Sequence, residues 1–280
     1  MIERNFEVFD RHLSALVQPG SGGPRILALH GWLDNAASFV PVAERLPECE
    51  IVALDMAGHG RSAHRSADGE YNIWSDLPDI EAVADLLGWD SFNLLGHSRG
   101  GVVSCLFAST LPQRVQRLVL LDSLAVQSVE ADHCTEQLRA FLRDKKRLLD
   151  KQGRVFSSLE DGVEVRRQNG LEPAAARLIG ERNLRPCEGG WCWSHDARLQ
   201  GASAFKLTAA HNAAVLAGLS MPGLVLFAER GLRARADTLP EIPPNIAVET
   251  VAGGHHCHMD ESVDTVAGLI RDFLADGEYE

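Results

Sequence analysis

Short apolar runs alternate with segments of helical periodicity along most of the chain. Each run is four to six residues long, and the runs lie at residues 26–29, 51–54, 92–95, 118–121, 223–227 and 246–251. Between them, segments such as 73–87 and 262–274 repeat apolar residues every three or four positions, which indicates amphipathic helices. Buried strands that alternate with helices predict an α/β fold with a mostly parallel central sheet, flanked by helices. Residues 6–17 alternate loosely and predict a further strand pair.

One long stretch interrupts the alternation. Residues 124–219 contain no buried-strand pattern and are rich in Arg, Ala, Leu and Gln, which predicts a helical cap, or lid, inserted between two strands. The predicted core domain therefore comprises residues 1–123 and 220–280, with the cap at 124–219. Four apolar cap residues are candidates for a wall of the pocket: Trp191, Trp193, Phe205 and Leu207.

Composition narrows the possible partners and the compartment. The 280 residues carry 39 acidic against 27 basic side chains, a net charge of −12, which argues against a nucleic-acid partner. No apolar run approaches the length of a membrane span, and the charged N-terminal residues are unlike a signal peptide. The six cysteines are scattered, so we expect free thiols and a cytoplasmic protein. Cys187 and Cys192 would be able to pair in an oxidising compartment.

The segment Gly96-His97-Ser98-Arg99-Gly100 fits the pattern G-x-S-x-G. An apolar strand precedes it and a helical segment follows, which is the context of a nucleophile elbow. The turn at such an elbow is so sharp that the residues two before and two after the serine must lack a Cβ atom. The pattern therefore predicts Ser98 as a nucleophile, placed where the following helix directs its N-terminal amides at a developing oxyanion.

Several motifs together resemble the α/β-hydrolase fold enzymes. They are His30-Gly31-Trp32, Asp55-Met56-Ala57-Gly58-His59-Gly60-Arg61-Ser62, the elbow with Gly101, Leu111-Pro112-Gln113-Arg114-Val115 and Gly254-His255. Within that superfamily, residues 30–35 and 254–260 are similar to the serine hydrolase-like proteins. The resemblance implies an α/β-hydrolase fold over nearly the whole chain outside the cap.

A serine hydroxyl needs a base to become a nucleophile at neutral pH. Three histidines compete for that role: His255, His256 and His258. The resemblance implies that the base stands in a Gly-His pair just after the last strand, which selects His255. His30, His97 and His59 are expected to have structural roles.

The acid of the triad departs from the commoner pattern of the superfamily. Many relatives carry an Asp where this chain has Gly231, in the sequence Ala228-Glu229-Arg230-Gly231. Asp122, which ends the run at 118–121, is favoured as the acid because catalytic groups gather at the C-terminal ends of parallel strands. Glu229 is the alternative, and a site without a working acid is the third possibility.

The resemblance also implies an oxyanion hole made of two backbone amides, those of Trp32 and Arg99. No cofactor and no metal are expected, because the three clustered histidines lack an accompanying Cys or Asp set.

The combined prediction is a serine hydrolase that cleaves a small-molecule carboxylic ester, thioester or lactone through an acyl-enzyme. The alternatives are a non-catalytic binding protein on a hydrolase scaffold and another chemistry of the same fold, such as acyl transfer or C–C hydrolysis. Dehalogenases and epoxide hydrolases carry Asp at the nucleophile position, so Ser98 argues against them. Neither the physiological substrate nor the oligomeric state follows from the sequence.

Overall fold

An eight-stranded sheet runs through the computed structural model, which describes residues 1–149, 151, 153–232 and 240–275. Its strands are β1 (Ile2–Val8), β2 (Arg11–Gln18), β3 (Arg25–Leu29), β4 (Glu50–Leu54), β5 (Phe92–His97), β6 (Val115–Leu121), β10 (Gly223–Arg230) and β11 (Ile246–Gly254). The strand order is β1-β2-β4-β3-β5-β6-β10-β11. The β1–β2 and β2–β4 pairs are antiparallel, and every other pair is parallel. The predicted mostly parallel sheet is thus confirmed.

Helices cover both faces of this sheet. Those of the core are α1 (Val40–Ala43), α2 (Leu77–Leu86), α3 (Arg99–Thr110) and α8 (Val263–Ala275). Two buried hydrophobic clusters lie against the strands, one centred on Leu27, Leu94 and Leu120 and the other on Ala28, Leu95 and Leu121. Neighbouring strand residues alternate between the two clusters, because successive side chains point to opposite faces.

The predicted helix at 73–87 is divided in two. Residues Ile73–Asp76 form a 3₁₀ turn, and α2 begins at Leu77. Pro78 explains the division, since its missing N–H is tolerated in the first turn of a helix but not in the interior.

The segment between β6 and β10 contains helices and, in addition, a small antiparallel sheet that the sequence pattern does not predict. It contains α4 (Cys134–Leu149), α5 (Leu159–Gln168), α6 (Pro173–Asn183) and α7 (Ala209–Ala217). It also contains a three-stranded antiparallel sheet of β7 (Val155–Phe156), β8 (Leu184–Cys187) and β9 (Gly190–Trp193). These strands are short and largely half-exposed, so they leave no continuous apolar run in the sequence. Glu188-Gly189 forms the two-residue turn of the β8–β9 hairpin, where Gly189 has a positive φ of 83°.

Buried polar contacts tie this segment to the loop after β3. The Asn35 amide donates to the Ile179 carbonyl at 2.9 Å, and the Asn183 amide donates to the Leu33 carbonyl at 2.8 Å. On the same helix, Arg182 pairs with the fully buried Asp55 at 2.8 Å. Helix α6 is therefore anchored to the core beside the loop that follows β3.

No helix in the described ranges is long and apolar enough to cross a membrane, and all six cysteines are free thiols. The ranges 124–219 and 220–280, assigned above to cap and core, include residues 150, 152, 233–239 and 276–280, which lie outside the described residues.

Candidate active site

Ser98 occupies a strained turn between β5 and α3. Its φ of 51° and ψ of −119° lie in a region that side chains rarely adopt, as a nucleophile elbow requires. A Cβ on Gly96 would lie 2.5 Å from the Gly101 Cα, and one on Gly100 would lie 2.0 Å from the Leu29 carbonyl oxygen. Both glycines are therefore sterically required, as the motif predicts.

Backbone contacts fix the candidate nucleophile beside the end of β6. The Ser98 amide donates to the Leu121 carbonyl at 3.1 Å, and the Ser123 hydroxyl donates to the Ser98 carbonyl at 2.7 Å. The residues immediately before and after Asp122 thus both hydrogen-bond to the backbone of Ser98. Within the described ranges no hydrogen bond joins the Ser98 hydroxyl to His255.

Asp122 and His255 form a direct pair. The Nδ1 atom of His255 lies 2.6 Å from Oδ2 of Asp122, whose side chain is fully buried. The amides of Ala228 and Leu232 also donate to this carboxylate, at 3.1 and 2.8 Å. Because the carboxylate can only accept, Nδ1 of His255 carries the proton and Nε2 keeps its lone pair.

The unusual Gly231 is explained by the position of Asp122. A Cβ on Gly231 would lie 2.2 Å from Oδ2 of Asp122, so the carboxylate fills the space that a side chain at 231 would need. Glu229, the alternative acid, is exposed and makes no recorded contact with His255 in the described part of the chain. The geometry favours Asp122 over Glu229 as the partner of His255.

The two amides expected to bind an oxyanion belong to segments adjoining Ser98. Arg99 is the first residue of α3, so its N–H has no acceptor within the helix. Trp32 lies in the loop after β3, and its indole Nε1 donates to the Leu199 carbonyl at 2.9 Å. The loop that carries the Trp32 amide is therefore held by the segment between β6 and β10.

Three further histidines, His97, His256 and His258, cluster beside the His255–Asp122 pair. Nε2 of His97 donates to the His255 carbonyl at 2.9 Å, and Nε2 of His256 lies 2.9 Å from Oδ2 of Asp34. His258 is fully buried, and neither of its ring nitrogens has a hydrogen-bond partner among the described residues. Burial and the neighbouring histidines lower the pKa of His97 and of His258 well below the ordinary value, so both rings stay neutral.

Asp34 is the second buried acid of this region. Burial alone would raise its pKa, but the hydrogen bond from His256 and the charges of His256 and Arg166 hold the pKa well below its usual range. The motif Asp34-Asn35 contributes to the sequence resemblance, but no pattern in the sequence predicted that Asp34 would meet His256.

A cavity of about 350 Å³ lies beside Trp32 and Arg99. Trp32 and Arg99 line it from the core, and Phe141, Leu148 and Leu199 line it from the segment between β6 and β10. The four apolar residues predicted as its wall do not line it, because Trp191 and Trp193 belong to the small sheet and Phe205 packs against Trp74. Trp32 lines the cavity together with two other aromatic residues, Tyr71 and Phe141.

Comparisons with known proteins identify the family and the fold. The family model described as the alpha/beta hydrolase fold matches residues 24–182. A serine hydrolase-like protein of Danio rerio is 28% identical over 272 residues, which cover 91% of this chain and 82% of the relative. The solved structure of a hypothetical protein from Pseudomonas aeruginosa PAO1 is 37% identical, with a TM-score of 0.91 over 98% of this chain and 100% of that one. The thioesterase domain from the curacin biosynthetic pathway has the same fold, with a TM-score of 0.83, 22% identity and coverage of 97% and 99% of the two chains. The match to more than half of the chain establishes that this protein belongs to the α/β hydrolase fold family, among relatives that include the serine hydrolase-like proteins.

Proposed function

We propose that this protein is a serine hydrolase that cleaves a carboxylic ester, thioester or lactone through an acyl-enzyme. The observation that carries the proposal is the 2.6 Å contact between Nδ1 of His255 and the buried Asp122 carboxylate, next to the strained Ser98 turn. A histidine whose Nδ1–H is fixed by a carboxylate presents an unprotonated Nε2, which is the form a general base must have.

In the first step, the Ser98 hydroxyl oxygen attacks the acyl carbonyl carbon, and Nε2 of His255 takes the hydroxyl proton. The carbonyl oxygen becomes an oxyanion, which the amides of Trp32 and Arg99 stabilise by donating hydrogen bonds. Asp122 stabilises the imidazolium that forms at His255. When the C–O or C–S bond breaks, the leaving group takes the proton from Nε2, and the acyl group stays on Ser98.

In the second step, water attacks the acyl-enzyme and gives its proton to His255. The second tetrahedral intermediate collapses, the carboxylic acid leaves, and the Ser98 hydroxyl regains the proton from Nε2. This chain's own residues account for every proton transfer of the cycle.

The cavity beside Trp32 and Arg99 suits a small acyl substrate. Its volume of about 350 Å³ is at the lower end of the range for small-molecule pockets, and Phe141, Leu148 and Leu199 make much of its wall apolar. The thioesterase that shares this fold supports thioesters as well as oxygen esters as the substrate class. We further propose a cytoplasmic location, which six free thiols favour.

A fluorophosphonate probe tests the nucleophile. The probe phosphonylates an activated serine and releases fluoride, so we expect a single adduct, located at Ser98 by peptide mass spectrometry. Ser98→Ala is expected to abolish labelling and to lower the turnover of a nitrophenyl ester by several orders of magnitude, while Ser109→Ala, on the same helix, changes neither.

A panel of nitrophenyl esters of graded acyl length then measures the fit of the acyl group to the cavity.

Absence of labelling at Ser98 in a folded protein would favour the non-catalytic binding scaffold. Labelling without hydrolysis of any ester or thioester in the panel would favour acyl transfer or C–C hydrolysis. A Ser98→Ala variant that keeps more than about a tenth of the turnover would refute the nucleophile assignment.

A further inference from the structure

Three potential metal ligands meet beside the His255–Asp122 pair. Oδ2 of Asp34, Nδ1 of His97 and Nε2 of His256 lie within 4.8 Å of one another. Oδ2 of Asp34 is 3.8 Å from Nδ1 of His97 and 2.9 Å from Nε2 of His256. Ligands bound to zinc at about 2.0–2.1 Å in a tetrahedron are roughly 3.3 Å apart, so these two separations lie on either side of that value.

The tautomer of His97 directs a lone pair into this cluster. Its Nε2 lies 2.9 Å from the His255 carbonyl oxygen, which can only accept, so the ring proton is on Nε2. Nδ1 is therefore unprotonated, and this fully buried atom has no hydrogen-bond partner in the described residues. It faces an Asp34 carboxylate oxygen that is also an acceptor, an arrangement that a cation between the two atoms would stabilise.

Gly31 lies close to two of the three ligand atoms. A Cβ on Gly31 would lie 2.9 Å from Oδ2 of Asp34 and 3.0 Å from Nδ1 of His97. Both ligand atoms therefore face the volume that any larger residue at 31 would fill. The side chain of His256 is 18% exposed, which gives an ion access from solvent.

The other atoms of the ligands are held in place, as the outer contacts of metal ligands usually are. Oδ1 of Asp34 accepts from the Arg166 guanidinium at 3.1 Å, and Nε2 of His97 is bound to the His255 carbonyl. The positive charge of Arg166 opposes a divalent cation, so we expect weaker binding than at a structural zinc site. Binding also requires His256 to give up the proton that Nε2 shares with Asp34, either to its own Nδ1 or to solvent.

We propose that Asp34, His97 and His256 form a binding site for a divalent transition metal of the zinc type, and that a metal bound there inhibits hydrolysis. The ring of His255 lies 4.6 Å from that of His97 and 5.2 Å from that of His256, measured between centroids. A dication at this distance repels the imidazolium that His255 must become. The inhibition rests on the proposed hydrolase function, whereas the binding does not.

Isothermal titration of the full chain with Zn²⁺ tests the binding, and the visible d–d absorption of Co²⁺ reports the coordination. We expect one site per chain, and at least about tenfold weaker Zn²⁺ binding in His256→Gln and in Asp34→Asn. The control is His133→Gln, which alters an exposed histidine of the segment between β6 and β10 and leaves Zn²⁺ binding unchanged. Far-UV circular dichroism verifies that each variant is folded. Should Asp34→Asn fail to fold, His256→Gln decides, because its side chain is partly exposed.

His255→Ala separates this site from simple coordination by the candidate base. The proposed site lacks His255, so the variant keeps Zn²⁺ affinity within about threefold of wild type. Loss of binding in His255→Ala, unchanged binding in His256→Gln, or no binding to the wild-type protein each overturns the site.

If an ester is hydrolysed, saturating Zn²⁺ lowers kcat at least about tenfold in the wild type and leaves kcat of His256→Gln unchanged at the same concentration. Binding without inhibition refutes the inhibitory role alone, and a protein without esterase activity leaves the titration and the Co²⁺ spectrum to decide the site.

Discussion

Replacing Asp122 by Asn changes one atom of a carboxylate that receives three hydrogen bonds. Oδ1 accepts from the Ala228 amide, and Oδ2 accepts from the Leu232 amide and from Nδ1 of His255. All three partners are donors, whereas the asparagine side chain offers only one acceptor atom. One end of the new amide must therefore direct its NH₂ group at a donor.

The two orientations of the amide have different consequences. If the oxygen stays near His255, the NH₂ group meets the Ala228 N–H, and one buried donor is left unpaired. If the oxygen turns toward Ala228, the NH₂ group meets the Leu232 N–H, and His255 must accept at Nδ1. That second arrangement places the ring proton on Nε2, where it blocks proton transfer from Ser98.

The first orientation costs less, and it sets the expected magnitudes. An unpaired buried donor costs about 1–3 kcal/mol, so we expect the free energy of unfolding to fall by that amount. Turnover falls at least about a hundredfold in either orientation, because the negative charge that stabilises the imidazolium is lost. The same exchange in a related triad lowers turnover by about ten-thousandfold.

Two assays with one control test this reasoning. Turnover of one good ester substrate measures the activity, and urea unfolding followed by far-UV circular dichroism measures the stability. Glu229→Gln is the matched control: its side chain is exposed, and we expect less than a tenfold loss of turnover and a stability change within about 0.5 kcal/mol. An Asp122→Asn variant that keeps more than a tenth of the turnover, or a larger loss in Glu229→Gln, would refute Asp122 as the acid.

Three further results are expected. Gly231→Asp alone introduces a Cβ 2.2 Å from the Asp122 carboxylate, so we expect it to destabilise the fold. In the double variant with Asp122→Gly, the glycine suits the positive φ of 43° at position 122 and makes room for the new carboxylate. We expect the double variant to turn over ester at least about tenfold faster than Asp122→Gly alone. His255→Ala removes nearly all ester turnover, whereas His256→Ala keeps turnover within about tenfold of wild type when metal is removed with chelator; the reverse order would reassign the base. Burial lowers the pKa of His59 well below its unfolded value of 6.5, so only the unfolded chain binds a proton at this residue as the pH falls below 6.5. Between pH 7.5 and 5.5 we therefore expect the free energy of unfolding of the wild type, measured by urea titration, to fall by about 1.4 kcal/mol relative to that of His59→Asn. Parallel pH curves for the two proteins would contradict the buried, neutral state of His59.

The sheet and the elbow were predictable because their physical signals are local. Continuous apolar runs mark buried parallel strands, and Gly96 and Gly100 are required by close backbone contacts that almost any side chain would break. The order of the strands places Asp122 at the carboxyl end of β6, between the ends of β5 and β10, so its favoured role over Glu229 also followed from topology.

Other features depend on contacts between residues distant in the sequence, and no local pattern encodes them. The small sheet of β7, β8 and β9 is half-exposed, so its composition resembles that of the neighbouring helices. The Asp34–His256 contact joins positions 222 residues apart. The reason for Gly231 likewise became visible only when the Asp122 carboxylate was found in the space that its side chain would occupy.

The attachment of the loop after β3 bears on how the cavity receives a substrate. The Trp32 indole donates to the Leu199 carbonyl, and the Asn183 amide donates to the Leu33 carbonyl, so two hydrogen bonds hold the loop against the segment between β6 and β10. Under the proposed mechanism, a segment that swung aside would draw the loop carrying Trp32 with it and disturb the proposed oxyanion hole. Residues 69–73 and 198–203 contribute much of the lining of the cavity, so we expect its size and shape to limit which substrates fit. Efforts to redirect specificity by directed evolution would best begin at those residues, because changes there widen or narrow the cavity without replacing a proposed catalytic residue.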